Sequence, residues 1–289
     1  MTLFKNPRSH PPARLRTKLA AATIAGIGAI GAITFAGTTA VVASPQPAST
    51  TNPKPSVVLV HGAWGDSANW NEVILRLQAD GYTVYAPPDP LQGLDYDPAY
   101  LRDFLDTISG PVVLVGHSYG GAVITNAATG DAQVKALVYV DGFEPAAGET
   151  IGQLVTAQPG TCVVPANLSL VPYPGAPTGA ADAYVKQSVF ANCMANGLSP
   201  AVTGELAATQ HPLTTLALNQ PSGTPAWLTI PSWAAIGTAD HAIPPAELKF
   251  MATRAGSHIT MVPNAPHLSM VSDPAIITKI ILEAARATS

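Results

Sequence analysis

The chain has 289 residues, 47% hydrophobic and 11% charged, with a formal net charge of −4. That length allows one large domain or two small ones, and the apolar share is enough for a sizeable buried core. A mildly acidic chain without a basic stripe offers no electrostatic footprint for nucleic acid, which argues against that class of partner.

The first stretch is unlike the rest. Lys5, Arg8, Arg14, Arg16 and Lys18 are followed by no charged residue until Lys54. Between them, Leu19 to Ala43 is an uncharged run of Ala, Gly, Thr and aliphatic residues with one aromatic, Phe35. A basic leader, an apolar run and a small-residue end predict a signal peptide over 1–43, and so bacterial export to a secreted or extracytoplasmic location. The competing expectation is an uncleaved membrane anchor over 19–42, since the run is long enough to span a bilayer. "SPQPASTTNPKP" then predicts an extended Pro-rich linker over 44–55. The folded domain is expected over 56–289.

From Ser56 onward, strand and helix patterns alternate. "SVVLVHG" predicts a buried strand, and Trp70, Val73, Ile74 and Leu77 in the next segment have helical spacing closed by Gly81. "YTVYAPP" is a short strand stopped by prolines, and "DPAYLRDFLDTI" a helix opened by Asp97 and Pro98. "PVVLVGHSYGGAVI" passes from strand to helix, and "VKALVYVDG" is another strand. Between about Ala146 and Pro225 the rhythm stops in a stretch rich in Pro, Gly, Ala and Ser, read as an insertion of short helices and loops. Strand, helix, strand and helix then resume through "PSWAAIG", "PPAELKFMATRAG", "SHITMV" and "DPAIITKIILEAARA". Such alternation predicts an α/β fold with a mostly parallel sheet covered on both faces.

Gly116-His117-Ser118-Tyr119-Gly120 matches G-x-S-x-G at a strand-to-helix turn. There the serine needs a strained backbone, and side chains at the flanking glycines would collide with neighbouring elements. Ser118 is therefore the candidate nucleophile. A serine hydroxyl needs a base. His267 lies in the loop between the last strand and the last helix, at the sheet edge where such sites assemble, and is the candidate. Asp240 in "AAIGTADHAIPP" is the favoured acid, with the task of fixing the tautomer of His267. Asp141, closing "VYVDG", is its rival. The acidic partner is expected to keep the imidazole pKa near or above its ordinary 6.5.

Two backbone N–H groups are expected to hold a developing oxyanion. One is that of Tyr119, after the nucleophile, and the other that of Ala63, in the loop after the first strand. Cys162 and Cys193 make an even count, which in an exported chain predicts a disulfide. The histidines show no paired ligand spacing, so no metal is expected. Without G-x-G-x-x-G, no dinucleotide cofactor is expected either, and no cofactor of any kind is implied.

With these motifs together, the domain resembles the α/β-hydrolase fold superfamily. "VHGAW" with Trp70, "GHSYGGAVI", "DHAIPP" and "HLSMVSDP" are similar to small serine carboxylesterases of the group that includes salicylate methylesterases and hydroxynitrile lyases. The resemblance implies that the insertion over about 146–225 is a cap. The expected function is that of an exported serine hydrolase that cleaves a small-molecule carboxylic ester through an acyl-enzyme. Trp64, Tyr119 and Leu268 are the expected substrate contacts. Two alternatives stand beside it: a non-catalytic binding protein on the same fold, and another chemistry on the same triad, as thioesterase, perhydrolase or lyase. The lyases of the group carry a Thr where this chain has Gly62 and a Lys near the base, where the next basic residue here is Lys279.

Overall fold

A computed structural model describes residues 54–288. The expected signal peptide or anchor, and the linker as far as residue 53, lie outside the described residues. The last two residues of the expected linker are already fastened to the domain. Lys54 Nζ donates to the Asp80 carbonyl at 2.6 Å and stands over the Tyr82 ring, while Pro55 is buried.

Six strands make one parallel sheet: β1 (Ser56–Val60), β2 (Val84–Tyr85), β3 (Val112–His117), β4 (Val134–Val140) and, after an insertion, β8 (Ser232–Gly237) and β9 (His258–Val262). Their spatial order is β2-β1-β3-β4-β8-β9, with every neighbouring pair parallel. β3 and β8 are buried along their whole length, which is why they lack polar alternation.

The helices between these strands cover the sheet. α1 (Asn71–Ala79) is entered through a 3-10 turn capped by Asp66, whose side chain accepts the Ala68 N–H at 2.8 Å. α2 (Asp97–Leu105) and α3 (Tyr119–Ala127) pack together, and α7 (Pro245–Ala255) packs on β8 and β9. A short α8 (Ser269–Ser272) leads into α9 (Pro274–Ala287), which pairs with α1 and lies across β3, β4 and β8. Ile277, Ile280 and Ile281 recur at helical spacing and are buried there.

The sheet order reverses between β1 and β3, because the chain runs outward to β2 before crossing back. Carboxyl ends of strands diverge at such a point and leave a crevice. The loop after β1 and the turn after β3 both open into it.

The insertion after β4 holds α4 (Ile151–Val155), α5 (Gln187–Met194) and α6 (Pro200–Ala208). It also contains an antiparallel sheet in the order β5-β6-β7, formed by β5 (Leu168–Val171), β6 (Asp182–Val185) and β7 (Leu213–Thr214). The sequence predicts only short helices and loops here, so this sheet corrects that expectation. Its strands are too short to leave a periodic pattern.

Candidate active site

Ser118 stands between β3 and α3 at φ 52, ψ −122. For a residue with a Cβ this backbone is strained by on the order of 1–3 kcal/mol, so the surroundings must impose it. They do so with three bonds. The Ser118 N–H donates to the Val140 carbonyl at 3.2 Å, and its own carbonyl accepts from Gly121 and Phe143 N–H at 2.9 and 3.0 Å. The glycines allow the turn to close. A Cβ on Gly116 would lie 2.5 Å from the Gly120 carbonyl oxygen, and one on Gly120 would lie 2.6 Å from that of His61.

The structure brings His267 and Asp240 together from the ends of β9 and β8. His267 Nδ1–H donates to Asp240 Oδ2 at 2.7 Å, and both side chains are buried. Asp240 Oδ1 accepts the N–H groups of Ala242 and Ile243 at 2.7 and 2.9 Å, an arrangement that favours the ionised carboxylate. With the proton on Nδ1, the other ring nitrogen is left as an acceptor. His267 Nε2 is buried without a hydrogen-bond partner, and His267 lines the same cavity as Ser118. Asp141, the rival acid, is engaged elsewhere: its carboxylate accepts the Gly237 N–H at 2.6 Å and the Ser269 hydroxyl.

Burial disfavours the imidazolium and pulls the His267 pKa below its ordinary 6.5. This differs from the expectation that the acidic partner keeps it near or above that value; desolvation is the larger influence. The same burial pushes Asp240 up, opposed by the Ile243 and Ala242 N–H groups and by the nearby His241.

Ala63 and Tyr119 line the cavity beside Ser118. Tyr119 is the first residue of α3, so its N–H has no acceptor one helical turn before it. The Ala63 loop is held from behind by His61. That ring donates from Nδ1 to the Gly62 carbonyl at 2.9 Å and accepts the Asp89 N–H on Nε2 at 2.9 Å. Burial lowers the His61 pKa to about 4, so it remains the neutral ring that this pair of bonds requires.

Of the expected substrate contacts, Trp64 and Tyr119 line the cavity. Trp64 does so at φ 61, with its indole N–H donating to the Ala183 carbonyl of β6 at 2.8 Å. The Tyr119 hydroxyl is turned away and donates to Asp97 at 2.8 Å, leaving its ring to the cavity. Leu268 is not part of the lining. It is buried in the core, and its N–H donates to the Met194 carbonyl at 3.3 Å. Sequence reasoning missed most of the wall: Phe143 after β4, and Ile151, Val155, Val163, Leu213 and Leu218 from the insertion. Nothing in their spacing singles them out. The cavity is apolar and narrow, about 20 Å³, room for about one water molecule.

Cys162 and Cys193 form a disulfide, with Cα atoms 5.6 Å apart. It ties α5 to a loop that supports the Asp240 segment. The Cys162 N–H donates to the His241 carbonyl at 2.7 Å, His241 Nδ1 donates to the Asn192 carbonyl at 2.7 Å, and Asn196 Nδ2 donates to the Ala239 carbonyl at 2.9 Å. Among the described residues, no group of His, Cys, Asp and Glu is arranged to hold a metal ion.

The chain is 35% identical over 111 residues to a carbendazim hydrolyzing esterase of Nocardioides sp. (strain SG-4G), which is 34% of this chain and 46% of that relative. The chain thus spans about half the length of that curated relative. Among solved structures, a pyrethroid hydrolase from Sphingobium faniae JZ-2 matches with TM-score 0.63 and 22% identity, over 81% of this chain and 98% of that one. Tomato methylketone synthase I matches with TM-score 0.69 and 17% identity, over 82% of this chain and 100% of that one. At those identities the two structures speak for the fold alone. Residues 57–279, almost the whole described domain, match the profile of the alpha/beta hydrolase family, and the chain belongs to that family.

Proposed function

We propose that the protein is a serine hydrolase that cleaves neutral, apolar carboxylic esters through an acyl-enzyme. The observation that carries this reading is the unpartnered Nε2 of His267. It lies in one cavity with Ser118, while Asp240 engages the opposite ring nitrogen. In the first step Ser118 Oγ attacks the ester carbonyl carbon and His267 Nε2 takes the hydroxyl proton. The carbonyl oxygen becomes an oxyanion held by the N–H groups of Ala63 and Tyr119. Collapse breaks the bond to the alcohol, which leaves with the proton from His267. Water then gives its proton to His267 and attacks the acyl-enzyme, and the acid departs as Ser118 recovers its hydrogen.

The apolar wall supports a neutral substrate, since an unpaired charge in such a site is costly. Gly62 favours esterolysis over cyanohydrin cleavage. A Cβ there would lie 2.6 Å from that of Ser118, which leaves no space for a threonine to aim a hydroxyl at a substrate. The relative named as an esterase supports hydrolysis as the reaction class. The basic and apolar leader, with the Cys162–Cys193 disulfide, supports export.

A serine-directed phosphonate, followed by mass spectrometry, tests this reading. Addition on Ser118 together with loss of aryl-ester hydrolysis is the expected result. An unlabelled, folded protein would instead support a non-catalytic binding role, and mandelonitrile cleavage faster than aryl-ester hydrolysis would support the lyase.

A further inference from the structure

Asp141 directly follows β4 in a conformation uncommon for residues with a side chain, although Asp is among those that enter it most readily. Its φ is 44°, in the left-handed region, and the residue is wholly buried. Its N–H continues the sheet by donating to the Ala235 carbonyl of β8 at 2.9 Å. The carboxylate reaches in two directions. One oxygen accepts the Gly237 N–H at 2.6 Å, and the other accepts the Ser269 hydroxyl. Gly237 is the last residue of β8, three positions before Asp240. Ser269 opens α8, two positions after His267. A single side chain therefore joins the two segments that deliver the acid and the base, across separations of 96 and 128 residues along the chain.

The arrangement is costly. Burying a carboxylate close to that of Asp240 disfavours both charges, and the left-handed backbone adds strain. An apolar residue at this place would leave the Gly237 N–H and the Ser269 hydroxyl buried without this partner. We propose that Asp141 is a positioning residue for hydrolysis: it sets the separation of the Asp240 and His267 segments, so that their hydrogen bond persists while the imidazole gains and loses its proton. The proposal rests on the triad reading above. A misplacement of about 1 Å at a reacting group can cost ~100-fold in rate, so this tie has leverage although it never touches substrate.

The test compares Asp141→Ala, Asp141→Asn and Ser269→Ala with the parent protein and with Ser118→Ala, each by steady-state aryl-ester hydrolysis. Rates are divided by the number of centres that a phosphonate burst titrates, and thermal unfolding is recorded alongside. Asp141→Ala should lower kcat per titrated centre by on the order of 10- to 100-fold with KM nearly unchanged. Asp141→Asn should recover most of the loss, because its carbonyl oxygen can accept the Gly237 N–H while its amide donates to Ser269. Ser269→Ala removes the hydroxyl bond and leaves the Ser269 N–H on the carboxylate, so it should lower kcat by a smaller factor. If Asp141→Ala yields no folded protein, Ser269→Ala decides.

A merely structural Asp141 would lower the Tm and the count of titratable centres while leaving kcat per centre intact, and that result overturns the proposal. So does an unchanged kcat in Ser269→Ala, or an Asn variant no better than the Ala variant. Undiminished turnover in Ser118→Ala would instead overturn the triad reading itself, so the two failures are distinguishable.

Discussion

His117 Nε2 donates to the main-chain carbonyl of His267 at 2.9 Å, so the residue just before Ser118 holds the backbone of His267. The two rings lie 4.7 Å apart. A donor at Nε2 leaves His117 neutral or doubly protonated, and burial decides between them by pushing its pKa well down, with the neighbouring His267 acting in the same direction. A neutral His117 can stand beside His267 while the latter carries a proton. His117→Ala should lower the unfolding free energy by about 1–3 kcal/mol through the unpaired carbonyl alone. Urea unfolding measures the loss, and an unchanged midpoint would mean that the bond contributes nothing.

Ser118→Ala and His267→Ala should each nearly abolish ester hydrolysis without changing the fold. Asp240→Asn should lower kcat by ~10⁴-fold, because the amide can hold the imidazole in the wrong tautomer. Asp141→Asn should be far milder. Steady-state assays at fixed pH compare the four, and a reversed order of the two Asn variants would make Asp141 the acid.

The pH profile follows from burial. His267 must be neutral to accept the Ser118 proton, and desolvation lowers its pKa below 6.5. A lowered pKa keeps the neutral form populated further into acid, so kcat/KM should begin to fall only below pH 6.5. The midpoint of the acid limb, measured with a neutral ester, is the readout. A midpoint above 6.5 would mean that the charge of Asp240 outweighs the cost of burial.

Reduction of the Cys162–Cys193 disulfide, whose cysteines are 31 positions apart, should destabilise the protein. Chain-entropy arguments give a loop of that size roughly 3–4 kcal/mol at most. Alkylation and mass spectrometry of the oxidised protein should find no free thiol, and thermal unfolding with and without reductant gives the size of the effect.

Gly62→Thr should nearly eliminate activity, because its Cβ would stand 2.6 Å from that of Ser118 and 2.7 Å from the His117 carbonyl oxygen. The measurement is kcat/KM beside a circular dichroism spectrum. A folded and fully active variant would show that the turn relaxes easily.

The turn around Ser118 was legible because glycine carries information at close approaches. Gly116 and Gly120 sit where a side chain would strike backbone, and the flanking Val-rich strand and apolar helix supply the context. His267 and Asp240 were legible from their places after the last two strands of an alternating pattern. The wall of the cavity was not. Ile151, Val163 and Leu213 belong to an insertion whose path no local periodicity describes, and only its folding brings them opposite Ser118. The ties made by His117 and Asp141 were hidden for the same reason, since each joins residues roughly 100 or more positions apart. For His267 the sequence displays the charged neighbour, which raises its pKa, and conceals the depth of burial, which lowers it.

The bond from the Trp64 indole to the Ala183 carbonyl has a consequence for turnover. Its acceptor belongs to a strand of the insertion, and its donor is the residue next to Ala63. The narrow cavity obliges a substrate to displace part of its wall on entry. If Leu213 of the wall and the Ala183 paired with it in β6 move outward, this bond and the one from the Trp64 N–H to the His211 carbonyl (2.9 Å) are strained together, and the loop that presents the Ala63 N–H loses its outer support. When β6 returns, the support returns with it. Admission and activation would thereby be coupled through these two hydrogen bonds, so an ester that props the insertion open would weaken the machinery proposed to cleave it. Discrimination among esters by size can then arise in kcat as well as in binding, without any residue that recognises size directly.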